Sequence, residues 1–122
     1  MADNRMVEML LRSVAEFNEF RKADPKKAID LSGSRLVGAD LSNADLRAVD
    51  ISGTDLSWAI LKNADLRDAK FTWCDAYYAD FGGADLSGAE LTATNFYGAK
   101  GLKRADYDRV AQATRESVVF VD

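Results

Sequence analysis

A chain of 122 residues, 48% apolar and 30% charged, has the length of one domain and enough apolar content for a core. Its formal charge of −4 names no partner class, its one cysteine excludes an internal disulfide, and the absence of histidine removes the usual neutral-pH base and the commonest metal ligand. No apolar run approaches the ~20 residues of a membrane span and the amino terminus lacks a signal-peptide core, so a soluble, cytoplasmic protein is expected.

Residues Asn4 to Lys22 read as one amphipathic helix, with Met6, Val7, Leu10, Val14, Phe17 and Phe20 on or near one face. Asp3 or Asn4 serves as its N-cap, and Pro25 ends it before Asp24. Residues 1–28 are therefore expected to form a helical cap and a linker to the rest of the chain.

From Asp30 to Lys100 a five-residue period runs without insertion. Its core positions are Leu31, Leu36, Leu41, Leu46, Ile51, Leu56, Leu61, Leu66, Phe71, Ala76, Phe81, Leu86, Leu91 and Phe96, all large except Ala76. Two residues before each lies mostly a small side chain, such as Ala44, Ala64, Cys74 or Ala84, and the residue just before is commonly aspartate. Period five fits neither standard element. In an α-helix it spirals the leucines around every face, and in a straight strand it alternates them between sides. All of them face one interior only if the chain turns once per repeat. Leu41-Ser-Asn-Ala-Asp-Leu-Arg47 recurs twenty residues on as Leu61-Lys-Asn-Ala-Asp-Leu-Arg67, which predicts four pentapeptides per coil.

The tract resembles the pentapeptide repeat family, whose consensus is A-(D/N)-L-x-x. The resemblance covers residues 29–102 and implies an all-β solenoid, a right-handed quadrilateral β-helix of about three and a half coils. At the ~4.8 Å sheet spacing these make a rod ~17 Å long. The segment Phe17-Asn-Glu-Phe-Arg21, followed by Asp24-Pro25 and Asp30-Leu-Ser-Gly33, is similar to the leader helix of some bacterial members. Ala76 is the thin position of the core, and Phe71 and Phe81 are expected to fill it. Cys74, in place of the usual alanine, reads as a buried structural thiol.

After Leu102 the period breaks. Residues 103–122 read as a helix over Lys103–Ser117, with a thin stripe of Ala105, Val110, Ala111 and Ala113 or Thr114, then an extended Val118–Val121. The resemblance implies a cap or a dimer element here.

No nucleophile–base pair, phosphate-cradling loop or metal-ligand cluster is present, so no enzyme, cofactor, metal or small-molecule substrate is expected. Asp45, Asp65 and Asp85 are expected to stack as a column beside Arg47 and Arg67, forming surface ion pairs of little individual worth. The aromatic residues carry more information. The register stacks Tyr77 with Tyr97 and Trp58 with Tyr78 on the face of Leu56, Ala76 and Phe96, with Trp73 at its other edge. A contiguous outward aromatic patch marks a binding surface, a satellite core under the carboxy-terminal segment, or a ladder between coils.

Two functions fit. One is a non-enzymatic interaction or structural module whose partner, another protein or a second copy, meets Trp58, Trp73, Tyr77, Tyr78 and Tyr97. The other is implied by the resemblance: some members, including quinolone-resistance factors, resemble duplex DNA and inhibit type II topoisomerases such as DNA gyrase. The repeat tract holds eleven acids against six bases, whereas the leader holds five against six. A ~17 Å rod, however, spans only about five base pairs at ~3.4 Å each. Arg35, Arg47, Lys62, Arg67 and Lys70 also interrupt its negative surface, and it lacks the projecting loops of several inhibitors. With a negative net charge and dispersed bases, direct nucleic-acid binding is not expected.

Overall fold

The computed structural model describes residues 2–110 and 118–121. Its body is a four-sided coil in which residue pairs twenty apart bridge in parallel, from Asp30 with Asp50 through to Asp80 with Lys100. The rungs are isolated bridges rather than strands because every pentapeptide turns a corner. From Leu36 onward, the N–H three residues past the core position returns to that position's carbonyl, as in Ala39 N–H to Leu36 O at 3.1 Å, whereas at the first corner Ser34 N–H donates to Thr54 Oγ1 at 3.3 Å. The residue two past the core position carries the turn in the left-handed region, whether glycine (Gly33, Gly38, Gly53) or not (Asn43, Asn63, Trp58). Between corners the backbone is satisfied by the next coil: Leu31 N–H donates to Asp50 O at 2.7 Å, and Asp50 N–H donates back to Ile29 O at 3.1 Å.

Inward side chains form one continuous core. At its thin layer, Phe71 and Phe81 meet with centroids 6.3 Å apart, and Phe81 continues onto Phe96 at 5.7 Å, enclosing Ala76. On one corner column the small inward position is polar. Thr54 Oγ1 donates to Leu31 O at 2.9 Å, Cys74 Sγ to Ile51 O at 2.8 Å and Thr94 Oγ1 to Phe71 O at 2.8 Å. Each hydroxyl or thiol thus ties its coil to the one below. Burial above all pushes the Cys74 thiol up to about 12, so it is a neutral structural donor.

The single helix expected over Asn4–Lys22 is two helices, α1 (Asn4–Arg12) and α2 (Val14–Ala23). Ser13 breaks them. It is extended (φ −160°, ψ 112°), its N–H closes α1 onto Met9 O, and its hydroxyl accepts from Glu16 N–H to start α2. Ser13 and Glu16 have the Ser-x-x-Glu spacing of a capping box, a signal the amphipathic pattern masked. Asp3 is the cap of α1. Ser13→Ala is expected to cost ~1 kcal/mol, seen as a lower urea midpoint with unchanged slope.

The break lets Met6, Leu10 and Phe17 all reach the core. The leader also bonds the first coil where no coil lies beneath it. Asp30 O accepts from Asp3 N–H at 2.9 Å, whereas one coil higher Asp50 O accepts from Leu31. Asp45 N–H donates to Asn18 Oδ1 at 2.8 Å, whereas Asp65 N–H donates to Ala44 O. Arg47 O accepts from the guanidinium of Arg21, which is 5% exposed, whereas Arg67 O accepts from Ala48.

At the other end, β1 (Lys100–Lys103) pairs in parallel with β2 (Val119–Val121), in keeping with the extended reading of that segment. In place of the expected helix over Lys103–Ser117, residues Arg104–Arg109 form a 3-10 helix, and the remainder, 111–117, lies outside the described residues. The tighter winding brings Arg109 onto Asp106, three residues back, at 2.8 Å. It also aims the Arg109 guanidinium at Leu86 O and Ala89 O. The side that begins under Arg21 therefore ends under Arg109.

Candidate interaction face

The side carrying Leu36, Leu56, Ala76 and Phe96 inside presents aromatic rings outside. Alternation along the coil places Trp73 at one corner, Cys74 in, Asp75 out, Ala76 in, Tyr77 out and Tyr78 at the next corner. Tyr77 stacks on Tyr97 of the coil above, with centroids 5.5 Å apart and planes 12° from parallel. Trp58 stacks under Tyr78 at 4.6 Å and 7°. Edge contacts join the two columns, Tyr77 to Tyr78 at 4.5 Å and Tyr78 to Tyr97 at 5.9 Å. The structure thus brings four of the five expected side chains together and leaves Trp73 apart, with no ring neighbour among the described residues. Desolvation first, then the phenols of Tyr78 and Tyr97, hold Tyr77 above its ordinary pKa and neutral near pH 7.

These rings stay in solvent. Trp58 is 58% exposed and Trp73 74%, and the three tyrosines lie between 37% and 44%. β2 does not fold over them; it extends the neighbouring side, above Lys100. The stacking does link successive coils, as in the ladder that is one of the three readings of the patch.

The backbone under three of these rings is unfavourable for bulky residues. Trp58, Trp73 and Tyr78 hold φ of 62°, 63° and 56°, at corners that the chain elsewhere fills with glycine (Gly33, Gly38, Gly53, Gly83, Gly88 and Gly98), Asn43, Asn63 and Asp68, or with the small Ala48 and Ala93. A left-handed conformation costs a side chain with a Cβ roughly 1–2 kcal/mol. Gly98, the next corner above Tyr78, makes room for that ring: a Cβ there would lie 2.7 Å from it.

The two edges of the face differ. On the Tyr78 side a cleft of about 420 Å³ is floored by Ala59, Ile60 and Gly98. There the ammonium groups of Lys62 and Lys100 converge on Asp80 Oδ2 at 3.6 and 3.7 Å. On the Trp73 side Asp55 and Asp75 stack in one column. Asp75 Oδ1 accepts from Tyr77 N–H at 3.1 Å and Asn95 Nδ2 at 3.4 Å. Asp55 Oδ1 accepts from Ser57 N–H at 3.0 Å; its hydrogen bonds with Ser57, and then the field of Arg35, hold Asp55 below its usual value.

The side of Leu46, Leu66 and Leu86 is an ion-pair seam. Arg47 forks onto Asp45 (2.8 and 2.9 Å) and Arg67 onto Asp65 (2.8 and 2.7 Å), filling much of the acceptor capacity of the expected carboxylate column. Among the described residues no three His, Cys, Asp or Glu side chains converge as a metal site, and no helix is long and apolar enough to cross a membrane.

Comparison with known proteins agrees with this geometry. Residues 27–63 and 64–100 match the family of pentapeptide repeats, in eight copies. No curated protein matches the chain. Among solved structures, a pentapeptide repeat protein of Nostoc PCC 7120 is 29% identical with a TM-score of 0.53, over 89% of this chain and 96% of that one. One from the thylakoid lumen of Arabidopsis thaliana is 24% identical with a TM-score of 0.50, over 66% and 69%. QnrB1, a plasmid-mediated fluoroquinolone resistance protein, is 27% identical with a TM-score of 0.45, over 61% of this chain; the chain spans 48% of its length. It likewise spans only 41% and 61% of two further cyanobacterial members. With its core positions, its four-sided coil and the family match all in one register, the chain belongs to the pentapeptide repeat family, whose members fold as right-handed quadrilateral β-helices.

Proposed function

We propose that this protein is a non-enzymatic interaction module: a short rigid β-helix, capped by its leader helices, that presents Trp58, Trp73, Tyr77, Tyr78 and Tyr97 to a protein partner. Pentapeptide repeat proteins are generally structural or interaction modules, which supports the class. The observation that carries the reading is conformational. Trp58, Trp73 and Tyr78 stand exposed in a backbone state that disfavours them, where glycine or asparagine would turn the corner without that cost. Stacking between coils offsets part of this for Trp58 and Tyr78, whereas Trp73 has no ring neighbour among the described residues.

The test uses the corners themselves. Asn43 and Asn63 occupy equivalent turns on the adjoining side, so Trp58→Asn/Tyr78→Asn removes the rings while keeping the turn. Affinity capture is run with the native chain and with this variant, after both show the same far-UV spectrum. The expected result is a protein captured by the native chain alone; identical captures overturn the reading.

The repeat tract's net charge of −5 favours a second reading, mimicry of duplex DNA towards a type II topoisomerase. The Arg47–Asp45 and Arg67–Asp65 pairs neutralise one side of the rod and weigh against it. A supercoiling assay separates the two, since mimicry requires inhibition at a modest excess of this protein and a docking module requires none.

A further inference from the structure

Resting on that reading, we propose what the face binds: an arginine-bearing basic segment of a partner protein, laid along the column of Asp55 and Asp75 between Trp73 and the Tyr77–Tyr97 stack. The charges on the two edges of the face are differently committed. Lys62 and Lys100 already share Asp80. Asp55 and Asp75 have no ion pair within 4 Å among the described residues, although Arg35 stands at the foot of their column. In both, Oδ1 accepts from the N–H two residues on, and the Ser57 side chain also hydrogen-bonds Asp55. Each is thus an acceptor that its own turn holds in position, without an ion-pair partner among the described residues.

The rings beside these carboxylates suit a guanidinium. Asp75 lies between Trp73 and Tyr77 along one coil, so a group paired to it has an aromatic residue on either side. Trp73 stacks on nothing among the described residues. Beneath it, at Gly53, an added Cβ would meet nothing within 4 Å, so one approach to the ring is open. A planar guanidinium stacks on indole and phenol faces while forking onto a carboxylate, a combination that ammonium matches less well. A net charge of −4 draws such a segment in.

The dimensions argue against a second copy as the occupant. The face is about three extended residues wide, ~10 Å, and ~17 Å tall. A stable protein–protein interface covers ~800 Å² on each partner, several times that rectangle, so the face suits one extended segment.

The probe is a capped twelve-residue peptide of alternating arginine and serine, with lysine–serine and glutamate–serine counterparts. Each is titrated into the native chain while the Trp73 indole N–H resonance is followed. The arginine peptide is expected to bind, shifting Trp73 and Tyr77 signals, with affinity falling at least tenfold between 50 and 300 mM salt. The lysine peptide should bind several-fold more weakly. Asp55→Asn/Asp75→Asn, which keeps the acceptor Oδ1 atoms, and Trp73→Asn should each weaken binding at least tenfold. Asp68→Asn/Asp85→Asn, with the same charge change on another side, should alter it less than twofold. Equal loss in both charge variants would reveal diffuse attraction and overturn the proposal. Tighter binding of the glutamate peptide overturns it in favour of an acidic partner. Sedimentation as a dimer that Trp73→Asn dissociates overturns it in favour of a second copy. If a captured partner is lost with Trp58→Asn/Tyr78→Asn but retained with Asp55→Asn/Asp75→Asn, this inference falls while the interaction module stands. If neither variant loses it, both fall.

Discussion

Phe71→Ala is expected to destabilise the protein by ~4–5 kcal/mol, the upper part of the range for truncating a buried phenylalanine. The reason lies in the layer it occupies. Most layers of the core are filled by leucine or isoleucine, but this one contains Ala76, and the missing volume is supplied by the rings of Phe71 and Phe81, which meet at 6.3 Å and are fully buried. Removing Phe71 puts two alanines in one coil, and its neighbours are poorly placed to collapse into the gap. The backbone of that coil is hydrogen-bonded to coils on both sides, with Phe71 N–H on Glu90 O and Ile51 N–H on Lys70 O, so the wall resists closing. Denaturant unfolding at constant slope measures the loss. A loss under ~2 kcal/mol would mean that the layer relaxes and that the rings are not its supports.

Most of this architecture is legible in the sequence because an inward residue must repeat wherever the chain turns. The positions from Leu31 to Phe96 declare the coil, and the repeat at twenty declares four sides. The column of Thr54, Cys74 and Thr94 was equally open to reading: a donor at one inward corner, recurring at twenty, marks a bond to the coil below. The corner glycines and asparagines likewise mark left-handed turns, and threading Trp58, Trp73 and Tyr78 onto that same position exposes their backbone cost. What stays hidden is what happens where the repetition stops. Arg21 and Arg109 have no periodic signature, because each supplies, at Arg47 O and at Ala89 O, the donor that a backbone N–H of the adjacent coil supplies in the middle of the stack. Their role depends on which carbonyls the coil leaves open, and that becomes visible only once the coils are stacked. The Ser13 break is intermediate: its capping spacing is local, but the helical stripe runs through it without interruption.

Gly101→Ala is expected to cost ~3 kcal/mol or more and to detach the carboxy-terminal rung locally. Gly101 lies in β1 with a φ of 82°, so any Cβ pays the left-handed penalty of roughly 1–2 kcal/mol. Here the Cβ would also stand 2.4 Å from Gly82 N, 2.7 Å from Gly82 Cα and 2.8 Å from Phe81 C, all backbone atoms of the coil below. No rotamer change relieves that clash, and β1 must lift. Leu102 would leave the core with it, and so would the bond from Val119 N–H to Ala99 O that seats β2. Gly33→Ala is the matched control: φ is 66°, but the added Cβ meets nothing within 4 Å. It carries the conformational term alone, as Ala48 and Ala93 already do in the native chain. The difference between the two variants therefore isolates the packing term. In the Gly101 variant, hydrogen exchange at Val119 should rise far more than at Leu56, whose N–H bonds Asp75 O at 2.6 Å in the middle of the stack. Equal destabilisation by both alanines would mean that β1 does not rest on the coil beneath it, and that the rod ends at Lys100.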